Sequence, residues 1–568
     1  MPQLQINQGP QDALLYDNTR SYFTNVGYVR TSNFQLELRD VDSQNSATQF
    51  GNTVQFVIPK AADLLGPCDL IVELNNADQD PTEGVYAAWV DTLGYAMIDR
   101  ITFSVGSHDI ETITGDQLNI INELMKSDTQ RLGAHQLLKT GAPAVYFDPV
   151  NAGATSATAN IATHAVNKPI VDTSDVSRII FDTTNKKVTA ERKLIVPLGL
   201  FFTKHPSQYF PLAAIAGCND VRVAIKFRTL EELLIMGTSQ YSIQGQDNTD
   251  ATLYTGTANM MDPSVANIGT ALKPTFASGP MKSCRLRCHY IHVTGPEATT
   301  LMNKEHVRLL KLWQVNTKQV TVPSLTSKDD KICEMDLSFL HPVQELIITI
   351  RKVSEMSSST VGTAIPEDDN QNAITKNYFA YHGGGKDPNP EAIKKRFLNG
   401  KIASSIGAPT ANDGLGGTDT AVNDSYLTVN DFKLTLNGTE RHPSLARSGL
   451  DRHYLMNRLM PMLHSNTSTT FADQSDLVVD VPTTTNVHMD FARLAEMTDR
   501  KEIYVYPFAL NPEGANPSGA VNFSKVSHAK LTISGKSVGD KVPYQVDVYG
   551  VHYNWLQIKD GRALTSFA

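Results

Sequence analysis

The stretch Ile101–Val105 (Ile-Thr-Phe-Ser-Val) alternates apolar and polar residues and ends in the turn Gly106-Ser107. The stretch Phe432–Leu436 (Phe-Lys-Leu-Thr-Leu) has the same alternation and ends in the turn Asn437-Gly438. A period of two places every second side chain on one face of a β-strand, and Gly and Asn tolerate the backbone angles of tight turns. Each stretch therefore predicts a strand that ends in a turn.

The segments after these two strands follow the same order in both halves of the chain. A helix-like segment comes first, at Leu118–Met125 and at Leu445–Met460, and a long variable stretch follows it. The next matching strands are Leu194–Leu198 with Ile503–Pro507, and Val221–Phe227 with Ala529–Ile533. An order that occurs twice predicts two copies of one fold, although β-sandwiches in general share this outline.

Many other short segments alternate in the same way, as in Val54–Ile58, whose even positions are expected to face a core. Helical spacing is found in Gln117–Met125, with an acidic cap at Asp116, and in Ser444–Met460. The regular strand–helix alternation of parallel α/β proteins is absent from the sequence. The predicted fold class is therefore all-β, with antiparallel sandwiches and short helices.

The last long strand, Tyr544–Ile558, is predicted to close the second sandwich. Gly550 interrupts its alternation, so we expect a bulge there that changes which positions face inward. The side chains predicted to face the core are Val546, Val548, Val551, Tyr553 and Trp555.

Three long regions have few apolar residues and are predicted to be surface loops or linkers. They are Lys139–Arg192, Gly237–Pro280 and Ser354–Asn430. Because Gly237–Pro280 falls near the middle of the chain, it is the candidate junction between two domains.

The composition is that of a folded globular protein: 568 residues, 41% apolar and 19% charged. The 59 acidic and 50 basic residues give a net charge of −9, and the basic residues are scattered along the chain. A protein that binds nucleic acid directly concentrates positive charge against the phosphates. The charge distribution therefore disfavours direct binding of nucleic acid.

The five cysteines are few, odd in number and widely spaced, which is typical of assembly in a reducing compartment. The N-terminal residues lack the basic and apolar regions of a signal peptide. No apolar run approaches the roughly 20 residues that span a bilayer. The sequence thus predicts neither secretion by a signal peptide nor integral membrane insertion.

Cys284, Cys288, His289 and His292 have a spacing that suggests a zinc site. On an extended strand, however, the two cysteines lie about 13 Å apart and His289 points to the opposite face. A shared zinc ion would require this segment to form a turn. The preferred interpretation is that both cysteines pack in a β core, so no metal ligand is assigned.

Four further motifs are assigned no site. His382–Lys386 resembles a phosphate-binding loop, but Asp387 replaces its hydroxyl residue, and a flexible loop tip is predicted. Asp40–Gln44 begins like a calcium loop without the required glycine, so a solvated turn is expected. Glu231-Glu232 and Glu367–Asp369 are interpreted as solvated charges, although cation binding by the latter stays open. No catalytic or cofactor-binding residue is assigned.

Several segments in a fixed order resemble the major capsid protein family of nucleocytoplasmic large DNA viruses. The matching segments are Tyr22-Phe23, Tyr28–Phe34, Leu93–Asp99, Ile503–Leu510, Pro517–Gly519, Asn522–Ser524 and Tyr553–Ile558, followed by Gly561 and Ala563-Leu564. Each piece alone is weak because aromatic strands are common, but the ordered set is specific. The insertions Gly237–Pro280 and Ser354–Asn430 are longer than a minimal member of the family needs.

The resemblance implies two tandem eight-stranded antiparallel jelly rolls with short helices and long loop insertions. The expected division is an N-terminal arm at 1–27, a first jelly roll at 28–236, a linker or insertion at 237–281 and a second jelly roll at 282–568. Residues 354–430 form a surface insertion in that division. The implied function is structural, with no enzymatic activity and no cofactor.

The resemblance also implies partners. Three copies would form a pseudo-hexagonal capsomer that tiles the icosahedral shell of a large double-stranded DNA virus. Minor capsid and penton proteins would bind it, and an inner membrane would lie nearby without being spanned. The protein would be made in the host cytoplasm and reside in the virion capsid. The alternatives are a minor shell protein of the same fold and, less favoured, a carbohydrate-active β-sandwich enzyme, which needs two carboxylates in one cleft.

Overall fold

The structure is a computed structural model of the chain. It describes residues 33–44, 49–75, 85–126, 179–181, 192–217, 219–238, 279–356, 377–384, 426–441, 450–464, 502–514, 516–538 and 541–566, with isolated positions between these ranges.

The described part of the first half forms a β-sandwich, called here the first sandwich. Its strands are β1 (Phe34–Asp42), β2 (Thr53–Ile58), β3 (Leu64–Leu74), β4 (Val85–Trp89), β5 (Ile98–Val105), β6 (His108–Thr114), β7 (Ile179–Phe181), β8 (Arg192–Pro197), β9 (Phe210–Pro211), β10 (Val221–Phe227), β11 (Leu234–Thr238) and β12 (Met281–Val293). One sheet has the order β1-β12-β3-β8, with β9 also paired to β3, and the other has the order β2-β10-β5-β6. A small third sheet has the order β11-β4-β7.

The described part of the second half forms the second sandwich. Its strands are β13 (His306–Val322), β14 (Lys331–Asp336), β15 (Pro342–Lys352), β16 (Tyr426–Leu436), β17 (Thr439–Glu440), β18 (Leu450–Asp451), β19 (Tyr504–Pro507), β20 (Val521–Asn522), β21 (Ala529–Val538), β22 (Val542–Lys559) and β23 (Arg562–Thr565). One sheet has the order β13-β22-β15-β19, with β20 paired to β15 and β23 to β22. The other has the order β14-β21-β16-β17, with β18 paired to β16.

The two sandwiches have the same strand order. β1, β12, β3, β8 and β9 correspond to β13, β22, β15, β19 and β20 in one sheet. β2, β10, β5 and β6 correspond to β14, β21, β16 and β17 in the other. The duplication predicted from the order of sequence segments is therefore confirmed by the hydrogen-bonded pairing of the strands.

Short helices connect the strands, as expected. They are α1 (Leu93–Ala96), α2 (Gly115–Met125), α3 (Pro296–Asn303), α4 (Val353–Met356), α5 (Arg452–Tyr454), a π-helical turn (Leu455–Leu459) and α6 (Met460–Leu463). Single 3-10 turns occur at Phe201–Thr203, Pro206–Gln208, Leu212–Ala214, Glu231–Leu233 and Phe523–Lys525.

The cap of α2 is Thr114, and the prediction of Asp116 as the cap is wrong. The Thr114 hydroxyl accepts a hydrogen bond from the Gln117 amide, and the Gln117 side chain accepts one from the Thr114 amide, which is a capping box. Asp116 lies in the first turn, where its carboxylate is free to pair with a cation from elsewhere in the molecule.

The cores follow the predicted alternation. Val54, Phe56 and Ile58 of β2 are fully buried, and the residues between them are more exposed. Burial of such side chains is worth about 1.5–3 kcal/mol each and drives the stacking of two sheets into a sandwich.

The first sandwich ends further along the chain than predicted, because it includes the strand β12. This strand begins at Met281 and pairs with β1 and with β3 along almost its whole length. Residues 282–293, assigned from sequence to the second jelly roll, thus complete a sheet of the first sandwich. The reason is that β12 is the last strand of the first copy, as β22 is the last long strand of the second.

The predicted surface insertion at 354–430 is wrong for its central part. Asn377–His382 are all buried, and Gly383 and Gly384 form β-bridges with Thr428. The flexible loop tip predicted at His382–Lys386 is also wrong at its start, because His382 is fully buried and its ring lies 2.9 Å from the Glu355 carboxylate. Glycine supplies backbone freedom here for close packing: a Cβ on Gly383 would lie 2.1 Å from the Tyr504 hydroxyl.

In β22, Val546, Val548, Val551 and Tyr553 are buried as predicted, but Trp555 is 43% exposed. Leu556 and Ile558 are buried in its place. The register with β13 is continuous through Gly550, and the irregularity lies in the neighbouring β15, between Val343 and Glu345. The bulge predicted at Gly550 is therefore wrong. A Cβ at position 550 would lie 3.0 Å from the Phe339 ring, so a larger residue there would require that ring to shift.

Candidate functional site

A buried ion-pair network joins the two sandwiches. Arg351 of β15 contacts Asp116 of α2 at 3.0 Å and Asp547 of β22 at 2.5 Å. The Arg351 and Asp547 side chains are 4% and 2% exposed, and Asp116 is 15% exposed. Burial lowers the pKa of Arg351, but attraction to Asp116 and other groups outweighs it and holds the pKa well above the usual value. Arg351 is therefore a permanent cation between carboxylates from both sandwiches.

The buried segment 377–384 adds polar contacts to the first sandwich. The Asn119 amide of α2 donates a hydrogen bond to the Tyr381 hydroxyl at 3.1 Å. The Tyr378 hydroxyl donates to the Glu232 carbonyl at 3.1 Å, and the Arg228 guanidinium lies 4.3 Å from the centre of the Tyr378 ring. This segment therefore belongs to the contact between the sandwiches.

Backbone contacts close the rest of this junction. The Gly561 carbonyl accepts hydrogen bonds from the Ala216 amide at 3.0 Å and from the Asn219 side chain at 2.8 Å. The Arg308 guanidinium of β13 donates to the Tyr209 carbonyl at 2.6 Å. A Cβ on Gly561 would lie 2.4 Å from the Ala216 side chain, so only glycine permits this approach.

Apolar side chains fill the junction. In β15, Leu346 and Ile348 face the core of the second sandwich, whereas Ile347 packs in the cluster of the first. Tyr549 and Val551 of β22 also join the first cluster. The junction is therefore a continuous core and not a polar contact between separate domains, and it is expected to hold the two sandwiches rigidly.

The contact pairs two different surfaces. The first sandwich contributes β6 and α2, a surface called here its helical edge, and β6 lies against β13 and β23. The second sandwich contributes the face of β13, β22 and β15 that points away from its own core, called here its outer sheet face.

A second buried charge cluster lies within the second sandwich. The His464 ring contacts Glu345 at 3.0 Å and Glu513 at 3.1 Å. Burial lowers the pKa of His464, but attraction to Glu345 and hydrogen bonds to both carboxylates raise it to about 9. The charged ring thereby connects the end of α6 to β15 and to the loop after β19.

A third cluster also positions a helical segment. The Arg452 guanidinium binds the Glu502 carboxylate, and the Tyr504 hydroxyl donates to the same carboxylate at 3.0 Å. Attraction to Glu502 outweighs burial and raises the pKa of Arg452 above its usual range. None of these clusters can be predicted from the sequence, because the paired charges are far apart in the chain.

The cysteines and histidines with zinc-like spacing do not converge. Cys284 and Cys288 are buried on β12, and the Cys288 sulfur lies 3.9 Å from the Cys68 sulfur. His289 and His292 instead contact Asp69 and Glu37. Burial raises the pKa of Cys284 to about 12, so the thiol is neutral at pH 7. Within the described residues, no group of three or more His, Cys, Asp and Glu side chains could hold a metal ion.

The remaining candidate motifs occupy ordinary positions. Asp40 lies on β1, where its hydrogen bonds to Arg287 lower the pKa of its carboxyl group. Glu232 accepts a hydrogen bond from the Thr229 amide at 2.9 Å in a 3-10 turn. The run Glu367–Asp369 lies outside the residues that the structure describes.

A surface cleft of the second sandwich is lined by Arg441, Tyr506, Pro507, Phe508, Ala520 and Val521. None of these described lining residues is one of the two carboxylates that a glycoside hydrolase uses. In the part of the chain that the structure describes, no helix is long and apolar enough to cross a membrane.

Residues 21–262 match a family model described as the major capsid protein N-terminus. The major capsid protein of Phaeocystis pouchetii virus is 24% identical over 574 residues, which covers 97% of this chain and 96% of that protein. The major capsid protein of Chrysochromulina ericina virus is 22% identical over 632 residues, covering 97% of each chain. Over nearly its whole length, the chain is similar to major capsid proteins of large DNA viruses.

Solved structures of the major capsid protein family show the same fold. A chain in a quasi-atomic model of the PBCV-1 virus capsid is similar with a TM-score of 0.56 at 17% identity, covering 96% of this chain and all (100%) of that one. The Faustovirus major capsid protein has a TM-score of 0.53 at 11% identity, covering 97% and 94%. The double jelly-roll fold predicted from the sequence is confirmed. Major capsid proteins are structural and not enzymatic.

Proposed function

We propose that three copies of this chain form a capsomer with six sandwiches and a roughly hexagonal outline, which tiles the icosahedral shell of a large double-stranded DNA virus. The observation that carries this proposal is the duplication itself: two sandwiches of one strand order lie side by side in one chain. Three such chains can supply six similar units around one axis, with a closed symmetry that ends the assembly at a defined size.

The buried junction supports this function physically. Neighbouring capsomers in a shell contact both sandwiches of a chain, so the angle between the sandwiches must stay constant. The Arg351 network and the continuous apolar cluster fix that angle. Side chains in a close-packed interior resist small displacements, which gives the subunit the rigidity that tiling needs.

We extend the proposal to the division of the chain and to its partners. The first sandwich would end with β12 at Val293 and the second would begin with β13, while 239–280 would be an insertion between β11 and β12. The arm at 1–27 would contact minor capsid or penton proteins beneath the shell. The net charge of −9 suits a container that does not bind its genome directly. Synthesis in the host cytoplasm and an inner membrane near the shell complete the proposal.

Light scattering coupled to size-exclusion chromatography tests the assembly. We expect a monodisperse species with three times the mass of the 62.3 kDa chain. A monomer at micromolar concentration, with no larger species, would contradict the proposal. In purified virus particles, this chain should also be the dominant band on a denaturing gel, whereas a minor shell protein would be present in few copies.

A further inference from the structure

The junction between the two sandwiches of one chain leaves two surfaces uncovered. Each sandwich has a helical edge and an outer sheet face, because the two share one strand order. The junction covers the helical edge of the first sandwich with the outer sheet face of the second. Among the described residues, the junction leaves exposed the outer side of β1 in the first sandwich and one side of the helical segment 452–463 in the second. The other side of that segment, with Met460 and Leu463, belongs to the junction cluster.

The outer sheet face of the first sandwich carries an exposed apolar stripe. Phe34, Leu36 and Leu38 alternate along β1 and are 66%, 54% and 57% exposed. They lie opposite Val293, Ile291 and His289 on β12, and β1 is the edge strand of its sheet. Exposed apolar side chains on an edge strand promote association with another chain unless something covers them.

The helical edge of the second sandwich carries a matching stripe. Tyr454 and Met462 are 48% and 57% exposed, and Arg458 between them is exposed as well. These three residues are four apart, which places them near one side of the helical segment 452–463.

The corresponding helix of the first sandwich shows what happens when this edge is covered. In α2 even the polar residues Gln117, Asn119, Asn122 and Glu123 are no more than 7% exposed. Asn119 there bonds to Tyr381 of the second sandwich. The helix is thus buried even at its polar positions in one copy of the fold, whereas in the other copy one side of the helical segment stays exposed.

We propose that the stripe Phe34, Leu36 and Leu38 of one chain binds the 454–462 side of the helical segment of a second copy of the chain, repeating between chains the contact that joins the two sandwiches within a chain. This inference rests on the proposed capsomer and names the surfaces that form it. Because the two surfaces differ, the contact is head to tail, and it closes into a ring when three chains have used all of them.

Two double variants test the contact. Leu36→Asp with Leu38→Asp removes the stripe, and Tyr454→Glu with Met462→Glu removes the helical surface. Each should weaken trimer formation roughly thirtyfold or more, as expected for central apolar contacts in an interface. Leu340→Asp is the matched control, because Leu340 is 52% exposed but lies in the loop between β14 and β15. It should leave the trimer intact, and all variants should keep the circular dichroism spectrum of the wild type.

Mixing the two double variants distinguishes a head-to-tail contact from a symmetric one. The stripe variant keeps a normal helical surface and the helix variant keeps a normal stripe, so an equimolar mixture should form one-to-one dimers that cannot close into a trimer. Loss of assembly in the stripe variant alone would show that stripes pair with each other, and the inference would be overturned. Trimer formation by both double variants would also overturn the inference about these surfaces. It would not contradict the capsomer proposal. A monomeric wild type would overturn the capsomer proposal as well.

Discussion

At the level of single residues, Arg351 matters because it is buried between carboxylates of two sandwiches. Its position could not be predicted from sequence. It follows the apolar run Leu346–Ile350, where a charged residue signals a buried partner, but nothing local indicates that the partner is Asp116, more than 200 positions away. A strand can be predicted from the alternation of neighbouring residues. An ion pair across a junction joins residues that are far apart in the chain, so it cannot be predicted in this way.

Arg351→Met should reduce the free energy of unfolding by about 3–5 kcal/mol, because it leaves Asp547 buried without its cation and Asp116 with only Arg228, at 4.0 Å. Arg285→Met is the matched control: Arg285 pairs with Glu73 at 3.2 Å but is 40% exposed, so its loss should cost at most about 1 kcal/mol. Denaturant unfolding measures both. Equal effects of the two substitutions would contradict the role given to the buried network.

His464 should make stability depend on pH. Its pKa is raised to about 9 in the folded protein, so the stability it contributes is complete below its ordinary pKa of 6.5 and is lost as the pH rises through 9. Lys311 nearby has a pKa lowered to about 8, mainly by burial, and acts in the opposite direction, so a comparison with a variant is needed.

The difference in unfolding free energy between the wild type and His464→Gln should therefore be largest near pH 6 and decrease by up to about 3 kcal/mol by pH 10. Lys311 is present in both proteins and largely cancels. Urea titrations across this pH range provide the measurement. A difference that does not change with pH would show that His464 is not charged in the folded protein.

At the level of elements, the segment 377–384 shows where sequence patterns mislead. Its run of glycines and the polar residues around it indicate a loop tip, yet the segment is buried between the sandwiches. Glycine permits either flexibility or close packing, and only the neighbouring atoms decide which applies. In contrast, β2 and the repeated strand-and-turn units were predictable, because alternation and turn residues act locally.

Gly383→Ala should destabilise the protein by several kcal/mol, since its Cβ would overlap the buried Tyr504 hydroxyl. Gly438→Ala is the control. Gly438 also has a positive φ, of 79°, but nothing lies within 4 Å of its Cβ position, so only backbone strain of about 1–2 kcal/mol is expected. Thermal unfolding of the two variants separates packing from strain. Similar decreases in melting temperature for the two variants would show that residues 377–384 are not tightly packed in the junction.

The strand β22 provides a second comparison. Trp555→Ala should cost little stability, within about 1 kcal/mol, because the side chain is 43% exposed. Tyr544→Ala on the same strand should cost about 3–5 kcal/mol, because Tyr544 is fully buried in the second core. Calorimetry of both variants tests the assignment. A large loss of stability in Trp555→Ala would show that the Trp555 side chain is buried, as the alternation of the sequence predicts.

At the level of the whole molecule, duplication explains both the fold and the proposed assembly. The repeated order of segments was visible in the sequence because each copy keeps its own local signals. The proposed boundary at Val293 was not visible there, because β12 pairs with β1 and β3 across more than 200 residues of chain. The surfaces left over by the internal junction were equally hidden, since exposure is a property of the packed structure.

The central claim is that the contact between the two sandwiches of one chain is repeated between chains. A cryo-electron microscopy reconstruction of the purified, soluble protein tests it most directly. The account predicts six sandwich-shaped densities in one ring, with the β1 face of each chain against the 452–463 segment of the next. A particle of three chains joined through any other pair of surfaces, or a single two-lobed chain, would contradict it.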